Sequence, residues 1–386
     1  MFFHTEVDVI LKVIQTPVRF YPFIGGVEQY VYYISKQLVK YDDCEVDVIC
    51  ANEPESPKFE TYEGINIKRL DYKGKVANTN VTPSLPNVLS STDFDIIHTH
   101  IPTPWSADWS NIIARRKDKP LIVTYHNDII GSGFANVIAN VYNKTALKYL
   151  LNKADRIIIT QDDYINSPHL TNYKDKIITI PNGVDTTLFK PQDKRNHNQI
   201  FFLSVLDRFH KYKGLDYLLE ALSEVKKTIP DVKLVVGGKG ELLDYYKQKT
   251  QKLGIQDNVE FKGFLTDEEV INYYATSELF ILPSISSLQE GFGIVVLEAL
   301  SSKTPVISTD IVGVADDVIK TNSGIIIPPK DVKALKESII KILKDPELQK
   351  NMGENGRKLV QQKYEWKQIA EDIHTLYHEV IDEYNK

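Results

Sequence analysis

Two cysteines in 386 residues leave this chain with almost no redox chemistry. Cys44 and Cys50 lack C-x-x-C spacing and follow no recognisable secretory leader, which predicts a reducing compartment and free thiols. Positive charge is not in excess either. The formal charge is -6, whereas affinity for nucleic acid rests on clustered Lys and Arg that neutralise phosphates, so no nucleic-acid partner is expected. Long hydrophobic runs are missing. A membrane-spanning helix needs about 20 apolar residues, and the apolar opening Met1 to Ile14 is broken by Glu6, Asp8 and Lys12. It reads as neither signal peptide nor span. Several catalytic signatures are absent as well: no G-x-G-x-x-G for a dinucleotide, no G-x-x-x-x-G-K-[ST] phosphate loop, no G-x-S-x-G elbow and no H-E-x-x-H zinc pair.

What is present suits a soluble globular protein. Hydrophobic residues at 42% and charged residues at 25% can offset the ordering entropy of folding without disulfides or metal. The length predicts two domains, since one domain averages about 100 to 200 residues. In the first half, short β-branched runs at Val7–Thr16, Glu45–Cys50, Ile65–Leu70, Asp95–Thr99, Leu121–Tyr125, Arg156–Thr160 and Ile177–Ile180 alternate with helical stretches at Glu28–Val39, Ser106–Arg116 and Asn140–Lys153. Pro54–Pro57 and Thr79–Pro86 read as loops. This is the pattern of a parallel sheet covered by helices on both faces. Pro181-Asn182-Gly183-Val184-Asp185 closes that half with turn chemistry, and polar Gln192–Gln199 reads as a linker. The alternation restarts at Ile200–Leu206 and continues through Lys233–Val236, Val259–Lys262, Leu279–Leu282, Pro305–Thr309 and Gly324–Ile327, with helices at Leu215–Thr228, Leu242–Leu253 and Asp267–Ala275. The tail from Val332 to Tyr384 reads as helices alone.

The fold class expected is therefore α/β with two doubly wound, Rossmann-like domains, residues 1–190 and 191–364, and a last helix at about 365–386 that can return to the first. Doubly wound domains bind ligands beyond the carboxyl ends of their strands, so a cleft between the two is the default site, and 181–198 is a candidate hinge.

The stretch Gln289 to Leu300 demands the most explanation, because Glu290 and Glu298 bracket a Gly-rich turn and an apolar run. A helix apolar all round is buried, and an ionised Glu298 within it costs several kcal/mol unless a partner hydrogen-bonds it. A buried Arg or Lys can do this, and so can a ligand hydroxyl. A rise of about 1.5 Å per residue sets the two Glu roughly 12 Å apart, a spacing for an elongated polar ligand. Gly25-Gly26-Val27-Glu28 follows the first strand and opens a helix, where backbone amides can hold a phosphate; alone, such a pair is more often a plain turn. Arg208 and Lys213 lie just past strand Ile200–Leu206, where two cations can neutralise a diphosphate without a metal, or form a solvated loop. His126 follows Leu121–Tyr125, and His98 and His100 flank Thr99. Metal-ligand spacing is lacking, so a His126 that hydrogen-bonds substrate is the better reading. Asp93-Phe94-Asp95 reads as the polar entry to a buried strand.

Taken together these segments resemble the retaining GT-B glycosyltransferases of family four, also described as group 1, over essentially the whole chain. The residues that carry the resemblance are Gly25-Gly26-Val27-Glu28, Pro181-Asn182-Gly183-Val184-Asp185, Arg208 with Lys213, and Glu290 with Glu298. It implies that Gly25, Gly26, Arg208 and Lys213 hold a donor diphosphate. Glu290 and the backbone of Gly291, Phe292 and Gly293 would engage the donor sugar, Glu298 the ribose hydroxyls, and His126 the reacting sugar. The implied reaction moves a hexose-type sugar from a UDP-, GDP- or ADP-sugar to an acceptor hydroxyl on a glycan, a lipid-linked acceptor or a small metabolite, with no cofactor and no metal. The implied location is cytoplasmic. Arg115-Arg116-Lys117 and Lys144–Lys153 offer a contact to anionic lipid at the inner face of the cell membrane, or a solvated helix face. The segment Ser284–Gln289 is slightly longer than in many relatives. Two other readings share the fold: a nucleotide-sugar 2-epimerase, which needs no acceptor, and a non-catalytic sugar-nucleotide-binding protein.

Overall fold

A computed structural model describes residues 10–386 other than 24, 77–78, 130–133, 194 and 287–288. The chain forms two compact units, one of residues 1–182 with 366–386, the other of residues 183–365.

The first unit is an eight-stranded sheet. Its strands are β1 (Leu11–Thr16), β2 (Cys44–Ala51), β3 (Phe59–Tyr62), β4 (Ile65–Leu70), β7 (Ile96–Ile101), β8 (Leu121–Tyr125), β9 (Arg156–Ile159) and β10 (Ile177–Thr179), and a hairpin of β5 (Lys75–Val76) and β6 (Thr79–Asn80) stands apart. The order β10-β9-β8-β7-β1-β2-β4-β3 is parallel except for β3 on β4. Side chains alternate across a strand, and here both faces are covered. Val13, Ile96 and Ile122 join one core with α1 (Gly26–Leu38) and the C-terminal helix Trp366–Tyr384. Their neighbours Ile14, Ile97 and Val123 join another core with α2 (Leu85–Ser91), α3 (Pro104–Lys117) and α5 (Lys148–Lys153). This double burial is why the strands read as continuous apolar runs. Cys44 and Cys50 are buried and free, with burial pushing both thiols up to about 12.

Two expectations for this unit need correction, while residues 7–9 of the first expected strand lie outside the described residues. The segment Thr79–Pro86 is not all loop, since it holds β6 and the start of α2. The helix expected over Asn140–Lys153 is instead α4 (Phe134–Tyr142), a wider π turn at Asn143–Leu147, and α5.

The second unit is a six-stranded parallel sheet in the order β13-β12-β11-β14-β15-β16, built of β11 (Gln199–Leu203), β12 (Lys233–Gly237), β13 (Val259–Gly263), β14 (Leu279–Leu282), β15 (Val306–Thr309) and β16 (Gly324–Ile327). Its helices are α6 (Leu215–Val225), α7 (Leu243–Lys252), α8 (Asp267–Thr276), α9 (Ile294–Ser301), α10 (Ala315–Thr321), α11 (Val332–Leu343) and α12 (Pro346–Lys363). Ile200 and Phe202 pack with α6 and α11, whereas Phe201 between them packs with α9 and α12. The chain winds outward from β11 to β13, then returns to β14 beside β11 and winds the other way. Loops after β11 and β14 therefore diverge at a topological switch point, where doubly wound sheets hold their ligands.

The boundary falls at Asn182/Gly183 and not at 190/191. Residues 184–189 are tied to the second unit: Val184 N–H donates to Tyr364 O at 2.7 Å, and Arg357 donates to the carbonyls of Thr186 (2.9 Å) and Phe189 (2.8 Å). The expected linker 192–199 is pinned too. Arg195 donates to the Lys303 carbonyl at 2.9 Å and to Thr304 Oγ1 at 2.9 Å, and Asn196 N–H to Thr276 O at 2.7 Å. These bonds remove 184–198 as a free hinge.

Candidate active site

In the second unit the loops after β11 (204–214) and β14 (283–293) meet at the switch point. Ile285 N–H donates to Tyr212 O at 2.8 Å. Their approach depends on Gly214, whose φ is +82° and whose position would bring a Cβ to 1.9 Å from Pro283 O. No L side chain fits there. The approach lets Lys213 reach Glu290: Nζ lies 2.9 Å from both Oε1 and Oε2. Ser284 Oγ donates to the same carboxylate. Glu290 is only 4% exposed, so an unpaired charge there would carry a heavy desolvation cost.

Gly293 caps α9 with φ +81°, and a Cβ there would sit 2.4 Å from Val312 Cγ1. Phe292 turns its side chain into the core, with its ring edge-on to Tyr364 at 5.8 Å. Only the backbone of Gly291–Gly293 is thus left to meet a ligand.

Helix α9 is less symmetric than its sequence suggests. Val296, Leu297, Ala299 and Leu300 are buried, whereas Ile294, Val295 and Glu298 are partly exposed. Spacings of three and four place these three on one helix face. Glu298 is therefore half-buried and not enclosed as expected. Burial still pushes its carboxyl up to about 7, the Tyr274 hydroxyl nearby pulls the other way, and the charge of Asp267 adds to the rise. The Tyr274 hydroxyl falls short of a hydrogen bond by geometry. No buried Arg or Lys neutralises Glu298 among the described ion pairs.

Arg208 and Lys213, expected as two cations for one diphosphate, have different protein partners. Lys213 is matched by Glu290, while Arg208 is 81% exposed on its loop and meets Glu241 at 3.2 Å. His210 between them holds the loop shape, with its backbone N–H 2.8 Å and its Nδ1 2.7 Å from Asp207 Oδ1. Ser284, Tyr274 and Gly214 were not singled out in the sequence. Only Gly214 left a signal there, as a glycine between strand and helix.

In the first unit Gly25 caps α1 and Gly26 begins it. A Cβ on Gly25 would lie 2.3 Å from Glu28 Oε2, whereas one on Gly26 would meet nothing within 4 Å. Buried Glu28 receives Arg19 Nε at 3.4 Å. Strand ends β7 and β8 bring His98, His100 and His126 together. His98 faces Tyr377 Oη (2.7 Å) and Thr124 Oγ1 (2.6 Å), His100 faces Gln15 Oε1 (2.9 Å), and His126 Nε2 lies 3.3 Å from His100 Nδ1. Burial lowers all three, His98 and His126 to about 3, so they are neutral. His126 stands edge-on to Tyr30 at 4.8 Å and keeps part of its surface exposed. Asp95 accepts from Lys12 N–H at 3.0 Å and Asp93 pairs with Lys12 Nζ at 2.8 Å, which is the strand-entry role read from the sequence.

Two such doubly wound sheets in one chain are the architecture of the GT-B glycosyltransferases. Residues 24–188 match the family described as Glycosyltransferase Family 4 and residues 185–359 match Glycosyl transferases group 1. The chain belongs to this family of glycosyltransferases. It is 26% identical over 378 residues to an uncharacterized glycosyltransferase of Methanocaldococcus jannaschii, covering 97% of this chain and 100% of that one. It is 25% identical over 368 residues to a phosphatidyl-myo-inositol mannosyltransferase of Mycobacterium leprae, covering 92% and 93%. In fold it is similar to Anabaena HepE in complex with UDP-glucose, with TM-score 0.71, 18% identity, and 96% and 100% coverage. Among the described residues no helix is long and apolar enough to cross a membrane.

Proposed function

We propose that this glycosyltransferase moves a hexose-type sugar from a nucleoside diphosphate donor to an acceptor hydroxyl, with retention of anomeric configuration and without a metal. The observation that carries the reading is the Lys213–Glu290 pair at the β11/β14 switch point, one helix start away from half-buried Glu298. An ammonium has three N–H donors. Two face Glu290, and the third is left for a phosphate oxygen. Exposed Arg208 adds a planar fork for the same diphosphate, so that charge developing on the leaving group is offset as the sugar gains oxocarbenium character. Glu290 and the Gly291–Gly293 backbone hold the sugar, and Glu298 accepts from the ribose hydroxyls.

Retention through same-face attack, with the departing phosphate taking the acceptor proton, is supported by what the carboxylates already do. Glu290 is bound by Lys213 and Ser284, which makes it a poor covalent nucleophile. In the first unit the same reading gives the Gly25–Gly26 amides to the diphosphate and neutral His126 to the reacting sugar. A UDP-sugar donor gains support from HepE, which is described in complex with UDP-glucose. A hexose and a lipid-linked acceptor gain support from the Mycobacterium leprae relative, named for mannosyl transfer to phosphatidyl-myo-inositol.

The test is a thermal-shift panel of UDP-, GDP- and ADP-sugars, followed by product analysis with the best donor. A stabilising donor raises the unfolding temperature as RT ln(1 + [L]/Kd). Transfer to a phosphatidylinositol, glycan or small-metabolite acceptor, with the donor's anomeric configuration kept in the NMR spectrum of the product, supports the reading. An inverted product overturns the stereochemistry. An epimerised nucleotide sugar formed without acceptor would assign the chain to the 2-epimerases.

A further inference from the structure

The geometry points to a divalent transition-metal site, of the zinc class, formed by Asp43, His374 and His378 in the first unit. His374 and His378 are four residues apart on the C-terminal helix, so both rings leave one face. Asp43 comes from the turn that joins α1 to β2. Their ligand atoms converge: His374 Nε2 lies 3.1 Å from Asp43 Oδ1, His378 Nε2 lies 3.2 Å from Asp43 Oδ2, and the two Nε2 atoms are 3.3 Å apart.

These three separations, within hydrogen-bond range, also match the ligand-to-ligand spacing around a shared metal. Zinc binds imidazole nitrogen and carboxylate oxygen at about 2.0 to 2.2 Å in a tetrahedron, whose ligand-to-ligand edges are then about 3.3 Å. Hydrogens alone fit poorly. If both Nε2 atoms carry hydrogen, each donates to its own Asp43 oxygen and the 3.3 Å contact between the two Nε2 atoms holds no hydrogen bond. If one ring gives its hydrogen up, its bare lone pair faces a carboxylate oxygen. A cation at the centre accepts from all three.

The surroundings favour such an ion. The Tyr41 ring stacks on His374 with centroids 4.2 Å apart and planes at 10°, which fixes the imidazole orientation. Glu371 and Asp372 add negative potential around Tyr41. The His378 side chain is 46% exposed and Asp43 35%, so a fourth position faces water. Two imidazoles and one carboxylate suit Zn²⁺, Co²⁺ or Ni²⁺ and not Mg²⁺ or Ca²⁺, which prefer oxygen ligands alone. The ion would pin the C-terminal helix to the α1–β2 turn. That role is structural and separate from sugar transfer.

The experiment titrates tag-free, full-length protein with ZnCl₂ in a calorimeter and follows unfolding by a thermal ramp. One Zn²⁺ per chain is expected, with the unfolding temperature raised by about 5 °C at roughly 100-fold Kd and restored by EDTA. MgCl₂ should produce no shift. His378→Gln, at a half-exposed position, should fold and lose at least about tenfold in zinc affinity, as should Asp43→Asn. Co²⁺ loading should give visible ligand-field bands that both variants lack. Absence of zinc binding to the wild type, or equal binding by the two variants, overturns the site.

Discussion

Both carboxylate oxygens of Glu290 lie 2.9 Å from Lys213 Nζ, joining two loops that leave neighbouring strands. Lys213→Met would leave Glu290 buried and short of its countercharge. A loss of about 3 kcal/mol in stability is expected from breaking such a buried pair. The double variant Lys213→Met with Glu290→Gln should recover much of it, as measured by urea unfolding. Neither should retain more than a few per cent of wild-type kcat/KM; a double variant that is both stable and active would separate this pair from catalysis.

Arg208→Ala tests the diphosphate without disturbing the fold. Its side chain is 81% exposed with one ion pair, so stability should change by no more than about 0.5 kcal/mol. A charged hydrogen bond to donor phosphate is worth roughly 1.5 to 3 kcal/mol, or about a 10- to 150-fold loss in kcat/KM. A change within about twofold would remove Arg208 from the donor site.

Glu298 links donor binding to pH. Burial raises its folded pKa to about 7, above the ordinary 4.5, so between these values the folded state holds a proton that the unfolded state has lost. Its contribution therefore falls as pH rises toward 7, and Glu298→Gln should raise the unfolding temperature relative to wild type more at pH 8 than at pH 5. The ionised carboxylate is the better acceptor for ribose hydroxyls. Calorimetric affinity for a nucleotide sugar should tighten in the wild type from pH 6 to pH 8 and stay flat in Glu298→Gln. Parallel pH profiles would count against the ribose role.

Gly26→Ala separates ligand approach from packing. A Cβ there meets nothing within 4 Å, and Ala is the better helix former by up to about 1 kcal/mol. The variant should be at least as stable as wild type. A fall of tenfold or more in kcat/KM is expected if a diphosphate comes close to this backbone, and unaltered kinetics would make Gly25-Gly26 a plain helix start.

The histidine network predicts acid sensitivity. Burial holds His98 near 3 and His100 well below the usual range, while the unfolded residues protonate near 6.5. The unfolded state binds more protons below that value, so stability should decline as pH falls through about 6.5. Tyr377→Phe takes a partner from His98 and from Gln15 (3.0 Å) and should cost about 1 to 3 kcal/mol. A variant as stable as wild type at pH 7 would show that water replaces the hydroxyl.

The architecture was legible because both faces of each sheet are covered. Val13-Ile14 and Phe201-Phe202 each send neighbours into opposite cores, which writes the strands as unbroken apolar runs. Glu290, Glu298 and Lys213 stood out as charges near strand ends or in apolar company. Their partners did not. Ser284 and Tyr274 are ordinary residues until the chain folds, and the split of Arg208 from Lys213 depends on Gly214 and Pro283 meeting across two loops. The unit boundary was misplaced because polar 192–199 reads as a linker, while Arg195 and Arg357 reach carbonyls far along the chain.

The C-terminal helix supplies Trp366, Ile369, Ile373, Leu376 and Val380 to the core around β1 and β2. A ribosome releases β1 long before this helix. The first unit to be synthesised is therefore the last to be completed, and one apolar face of its sheet must wait only partly covered, by α1, while the whole second unit is made. A nascent chain stalled before Trp366 should present that face to chaperones and proteases, whereas the second unit by then has all of its residues.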